Sequence, residues 1–202
     1  MSVTIDFYFD FGSPNAYLAY RVLPGLAEAV GAEIKFKPAL LGGIFKATGN
    51  QSPMQAFGPI KGKLAYEMLE LQRFVERHAL TKYQMNPNFP INTLAMMRAM
   101  MVAEDRGVAD PYREACFTAM WEEGLNMGDT DVAVKRIAEA GLDADALFSA
   151  SQEPENKQKL IDATAAAVER GVFGLPTFFV GEEMFFGKDR LGQVVEEVSR
   201  VG

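Results

Sequence analysis

The sequence has 202 residues, about one domain or slightly more, and its 49% hydrophobic and 23% charged content excludes disordered and fibrous folds. Lys and Arg total 20 against 27 Asp and Glu, a net charge of −7, and no five-residue window is dominated by basic residues, so a general nucleic-acid binder is excluded. A single cysteine (Cys116) cannot form an internal disulfide, and a single histidine (His78) cannot anchor a His-rich metal site, so no metal is expected.

The opening Met1-Ser2-Val3-Thr4-Ile5-Asp6 has neither a basic stretch nor a small-residue cleavage site, which predicts no secretory leader. No apolar run approaches the roughly 20 residues that span a bilayer. A soluble cytoplasmic protein with no membrane partner is the expectation. Val3 to Phe9, rich in β-branched and aromatic residues, predicts a buried strand. Asp10-Phe11-Gly12-Ser13-Pro14 is a helix start, with Ser13 as N-cap and Pro14 in the first position, where its missing N–H costs nothing. That helix should run to about Gly31, with Pro24 kinking or tightening its middle. A second strand is predicted over Ala32 to Pro38, followed by a Gly-rich loop from Leu41 to about Asn50.

Helical periodicity then dominates. Leu64, Met68, Leu71 and Val75 form one apolar stripe. Further helices are predicted at Thr93 to Asp105, Pro111 to Glu123, Asp131 to Ala140 and Glu155 to Gly171, with a break over Gly107 to Pro111. Asp129 and Thr130 are cap candidates. Thr177 to Val180, a Gly181-Glu182-Glu183 turn and Met184 to Phe186 predict a hairpin, and Leu191 to Val201 an amphipathic helix. The layout is α/β: a thioredoxin-like fold made of 1–45 plus 172–202, with a large all-helical insertion over 46–171.

In such a layout the reactive group sits at the N-terminus of the first helix, where open N–H groups and the helix dipole favour negative charge. A redox protein carries C-x-x-C there, whereas this chain has Ser13-Pro14-Asn15-Ala16. A hydroxyl cannot exchange disulfides, but it can donate to a thiolate supplied from outside. Taken alone, the pattern favours a plain N-cap. Gly174-Leu175-Pro176-Thr177 opens a strand that should lie beside this helix. Pro176 reads as a strand-edge marker or, in a thioredoxin-like layout, as a cis proline. A cis proline would present the backbone of Leu175 to a peptide-like ligand.

Three segments together carry a family resemblance: Asp6 to Leu18, Val172 to Thr177, and Phe186-Gly187-Lys188-Asp189-Arg190-Leu191. In this order and spacing the chain resembles the 2-hydroxychromene-2-carboxylate isomerases and their relatives, the kappa-class glutathione transferases, which share a DsbA-like fold. The likeness covers nearly the whole chain, including Gly49-Asn50-Gln51 and Lys61-Gly62. It implies bound glutathione, with Ser13 hydrogen-bonded to the sulfur and Leu175 and Pro176 along the cysteinyl part. It further implies that Asn50 and Lys61 meet the far carboxylate and that Asp189 meets the γ-glutamyl amine. Lys188 stands where the family often has Ser, Gln or Asn; it would pair with the γ-glutamyl carboxylate or point to water. Arg190 completes the implied glutathione-binding set.

The reaction implied interconverts a 2-hydroxychromene-2-carboxylate and trans-o-hydroxybenzylidenepyruvate in the breakdown of naphthalene-like aromatics, so a small aromatic substrate is expected. A kappa-type transferase is the first alternative, and a non-catalytic thiol- or peptide-binding module on this fold the second. The resemblance also suggests a homodimer. Among the remaining residues, Cys116 reads as a buried core thiol and His78 as solvent-facing. Met96-Met97 and Met100-Met101, Trp121 and the Phe89 to Thr93 segment read as core or cap, with an apolar substrate pocket as the other possibility.

Overall fold

Alternating apolar residues make a strand with one face committed to a core, and Thr4–Phe9 (β1) does this with Ile5, Phe7 and Phe9 fully buried. The computed structural model describes residues 2–202, so Met1 of the expected 1–45 segment lies outside the described residues. β1 pairs in parallel with β2 (Glu33–Pro38) through the crossover helix α1 (Pro14–Ala29). It pairs antiparallel with β3 (Thr177–Val180), which turns back into β4 (Glu183–Phe186), so the sheet order is β2-β1-β3-β4. The middle of the sheet therefore joins residues from opposite ends of the chain, as in Phe7 opposite Phe178.

Helices cover both faces. On one face the Phe7 and Phe9 rings join α1, α10 (Leu191–Val201), α5 (Leu94–Asp105) and α6 (Ala109–Trp121) in one core. On the other face Tyr8 and Phe179 pack with Ile44 and Ala167, from α2 (Leu41–Thr48) and α9 (Pro154–Glu169). α3 (Pro53–Phe57), α4 (Lys63–Arg77), α7 (Thr130–Glu139) and α8 (Ala144–Ala150) complete the helices. This is the thioredoxin-like fold with a large helical insertion. Arg21 on α1 ties the layers together through Glu114 (2.8 Å) and Glu122 (2.6 Å). No helix among the described residues is long and apolar enough to cross a membrane.

Several local expectations change. The stretch from Leu41 is a helix, not a loop. Two adjacent glycines lower helix propensity by about 1 kcal/mol each relative to alanine, but tertiary contacts offset this. The Asp10 carboxylate accepts the Leu41 N–H (2.8 Å), Thr164 Oγ1 accepts the Leu40 N–H (3.0 Å), and Ile44 is fully buried. Gly43 also lets α2 approach α9, because a Cβ there would lie 3.0 Å from Thr164 Cγ2. At Gly42 a Cβ would meet nothing within 4 Å. Gly42→Ala should therefore stabilise the protein by about 0.5–1 kcal/mol, whereas Gly43→Val should cost about 1–3 kcal/mol by overpacking. Urea unfolding of the pair checks this, and equal effects would refute the account of α2.

α6 begins at Ala109 rather than Pro111, because a proline in the first turn removes an N–H that has no helical partner anyway. The α4 stripe is only partly inward: Phe74 is buried, while Met68 is 47% exposed. The short helices α3 and α8 are capped by Ser52 and Asp143, whose side chains accept the N–H groups of Gln55 and Ala146. Met96, Met97, Met100, Cys116 and Trp121 are core residues with no exposure.

Candidate active site

The end of β1 is held by Asp10, a carboxylate only 1% exposed. Its two oxygens accept the N–H groups of Gly12 and Leu41, both at 2.8 Å, and the Thr93 side chain also bonds to it. Burial outweighs these bonds and raises its pKa from the ordinary 3.8. Glycine at position 12 lets the loop pack closely, since a Cβ there would sit 3.1 Å from Thr93 Cγ2. Trp121 Nε1 donates to the Phe11 carbonyl (2.8 Å), so the loop from Asp10 to Ser13 is held from both sides.

This loop delivers Ser13 to the start of α1, only 4% exposed and in an extended backbone conformation. Its Oγ accepts the Ala16 N–H (3.1 Å) and donates to the carbonyl of Leu175 (3.1 Å). The first turn of α1 contains no acidic residue, so no carboxylate within the helix itself offsets the positive end of this 16-residue dipole. A hydroxyl donor beside that dipole suits a thiolate: a free thiol with a pKa near 8.5 is driven toward its anion there.

Facing Ser13 is the segment that leads into β3, with the Leu175–Pro176 peptide in the cis form that the thioredoxin-like reading calls for. Gly187 N–H donates to the Pro176 carbonyl (2.9 Å), Thr177 Oγ1 to that of Gly174 (2.7 Å), and Asn50 Nδ2 to that of Phe173 (2.7 Å). The half-exposed rings of Phe173 and Phe186 lie 4.6 Å apart and form an aromatic lip. A Cβ at Gly174 would strike Phe186 at 2.9 Å.

The short 3-10 turn Lys188–Arg190 packs against α1, which brings Asp189 and Arg190, both exposed, to the same end of the molecule. Lys188 does not point to water. Its Nζ is turned inward, 4.9 Å above the Phe74 ring, and binds both oxygens of Asp189 at 2.8 and 2.9 Å. Lys61, between α3 and α4, is exposed and takes part in no ion pair among the described residues. Ser13, Leu175, Pro176 and Asn50 are thus joined in one hydrogen-bonded constellation around the segment entering β3, while Lys61 stands apart from it.

The roles of Asp10 and the Phe173–Phe186 pair emerge only from the tertiary structure. A lone carboxylate between an apolar strand and a Gly-Ser helix start was the available signal for Asp10. His78 is half-buried, its ring 4.4 Å from Phe74, with its pKa lowered by burial and by Arg77. Burial pushes the Cys116 thiol up to about 12. A disulfide reagent at pH 8 should therefore release no thiol equivalent from the native protein and one per chain in denaturant; a rapid native reaction would refute this burial. No group of three His, Cys, Asp or Glu residues among those described is placed to hold a metal ion.

The DSBA-like thioredoxin domain family matches residues 4–199. The 2-hydroxychromene-2-carboxylate isomerase of Sphingobium xenophagum is 33% identical over 193 residues, covering 95% of each chain. Glutathione S-transferase kappa 1 of Rattus norvegicus is 26% identical over 93% of this chain and 87% of its own. A solved structure of a 2-hydroxychromene-2-carboxylate isomerase superposes with a TM-score of 0.84 at 30% identity, covering 98% of this chain and 95% of the other. With a serine heading α1 where dithiol enzymes carry their cysteines, and with these likenesses end to end, the chain belongs to the DSBA-like thioredoxin domain family and, within it, to the 2-hydroxychromene-2-carboxylate isomerases.

Proposed function

We propose that the protein is a glutathione-dependent isomerase acting on 2-hydroxychromene-2-carboxylate, or on a closely related intermediate of aromatic breakdown, to give trans-o-hydroxybenzylidenepyruvate. The observation that carries the reading is the Ser13 hydroxyl, buried at the head of α1 and hydrogen-bonded to Leu175. The donor set fits a thiol ligand: a hydroxyl and a helix start, with no acid in the first turn and no cysteine nearby to compete for oxidation. Glutathione held there by Ser13 would supply a nucleophilic thiolate, the chemistry needed for reversible addition to a conjugated double bond.

The chain's own residues do the rest. The Ser13 hydroxyl, which donates to a neutral carbonyl in the structure, would donate instead to the charged sulfur, the stronger acceptor. Asp10 and Trp121 hold the loop so that this donor need not reorganise. Leu175 and Pro176 would line the cysteinyl part. Asn50 and the unpaired Lys61 would serve the glycyl carboxylate, and Asp189 the γ-glutamyl amine, with Lys188 holding the Asp189 carboxylate. Arg190 is available to the γ-glutamyl carboxylate from the same turn. Phe173 and Phe186 offer an aromatic face to orient the substrate ring.

The exposed apolar residues Met54, Ile60, Tyr66, Met68 and Leu69 on and around α3 and α4 support a homodimer in which this surface is covered. One buried, unreactive cysteine suits the reducing cytoplasm. The deciding experiment follows chromene absorbance and free thiol together. Isomerisation with glutathione present only in catalytic amount and thiol constant supports the reading. Thiol falling one-for-one with an electrophile, with the chromene untouched, makes the protein a kappa-type transferase. No glutathione binding at all leaves a non-catalytic module.

A further inference from the structure

A second cavity lies between α2, α5 and α9, and its lining includes none of Ser13, Asn50 or Leu175. It measures about 360 Å³, at the small end of the range for ligand pockets. Its walls are almost wholly apolar, with Leu94, Leu160 and Val168 among them, and the 56%-exposed side chain of Ile161 belongs to the same lining. Three cations also line it: Lys46 from α2, Arg98 from α5 and Lys157 from α9.

The charge pattern is unusual for this molecule. The chain as a whole has more acids than bases, yet no carboxylate lines this cavity. Lys46, Arg98 and Lys157 belong to none of the ion pairs found among the described residues, although Lys159, two residues along α9 from Lys157, does pair, with Asp105. Arg98 Nε is shut off from solvent and has no hydrogen-bond partner. A shielded donor without an acceptor is costly, and the guanidinium fork matches a carboxylate in two parallel bonds. An apolar pocket, open on one side, with a half-buried guanidinium whose Nε lacks a partner and two further ammonium groups, complements a ligand with one anionic end and one apolar body.

We propose that this cavity binds a compact amphipathic carboxylate, with its anionic end on Arg98, flanked by Lys46 and Lys157, and its apolar body against Leu94 and Leu160. The site does not rest on the reading of Ser13 given above. Inorganic anions lack the apolar part and fit it poorly, and a neutral amide of the same shape loses the ionic part.

The test is calorimetric titration of the full chain, with and without saturating glutathione, using octanoate as the probe and octanamide as its neutral counterpart. Octanoate should bind with one site per chain, unaffected by glutathione or by Ser13→Ala. Octanamide, or octanoate with Arg98→Met, should bind at least about tenfold more weakly, the worth of a charge-assisted bond. Ala165→Phe, at an exposed position on α9 that lines the cavity, should abolish binding without disturbing the fold, as circular dichroism will show. Absent octanoate binding, equal affinity for octanamide, or unchanged affinity in both variants would overturn the proposal. So would competition by glutathione, which would put the carboxylate at the Ser13 site instead. Should Arg98→Met fail to fold, Lys157→Met alone carries the charge comparison and Ala165→Phe alone the blocking test.

Discussion

Replacing Ser13 with alanine should lower isomerase kcat/KM by about 10²–10³-fold, the usual cost of removing one preorganised donor from a developing or stabilised anion. The protein should still fold, because losing a helix N-cap costs only about 1 kcal/mol. The effect also has a direction in pH. With Ser13 in place the bound thiol should ionise at lower pH than free glutathione, so that activity reaches its plateau early; in Ser13→Ala the rising limb of the pH profile should move to higher pH. Ultraviolet titration of the bound thiolate measures the same shift without turnover. Coincident rising limbs in the two proteins would sink the assigned role of Ser13, whatever the loss in rate.

Asp10→Ala should cost about 2–4 kcal/mol of stability, because it strips the acceptor from two largely shielded N–H groups, of Gly12 and Leu41. It should also loosen Ser13, whose N–H is bonded to the Asp10 carbonyl at 3.1 Å, and so reduce kcat more than glutathione affinity. Linkage makes the prediction sharper. The folded-state pKa of Asp10 is raised from 3.8, mainly by desolvation, so the native protein holds this proton more tightly than the unfolded chain. The stability that Asp10 contributes is then fully present below about pH 4 and declines as pH rises through the folded value. Urea unfolding of wild type and Asp10→Ala across this range should give curves that converge with rising pH. A difference that widens instead would mean that the bonds to Gly12, Leu41 and Thr93 outweigh burial.

Much of this molecule is legible in short stretches of sequence, because the signals involved act over a few residues. An alternating apolar run makes β1, Ser13-Pro14 starts α1 through one side-chain oxygen and one absent N–H, and a tight turn folds β3 back onto β4. The two halves of the candidate site were likewise readable as separate motifs. What joins them is a hydrogen bond from Ser13 to a carbonyl 162 residues away, which only the sheet order β2-β1-β3-β4 brings within reach.

Tertiary structure decided the rest, wherever long-range contacts outweigh local preference. Gly42-Gly43 has the composition of a loop, yet α2 forms because Asp10 accepts its first amide and the absent side chain of Gly43 lets it pack closely on Thr164 of α9. Lys188 looks like a surface charge in sequence, and it is the Phe74 ring of α4 together with the neighbouring Asp189 that turns it inward. Lys46, Arg98 and Lys157 are scattered over more than a hundred residues and look like ordinary solvated charges one at a time. Packing α2 and α5 onto α9 gathers them around one apolar cavity and leaves them without carboxylates. The physical reason is the same in each case: burial and charge pairing depend on which side chains the fold brings together, and that is not encoded within any one turn of helix or strand.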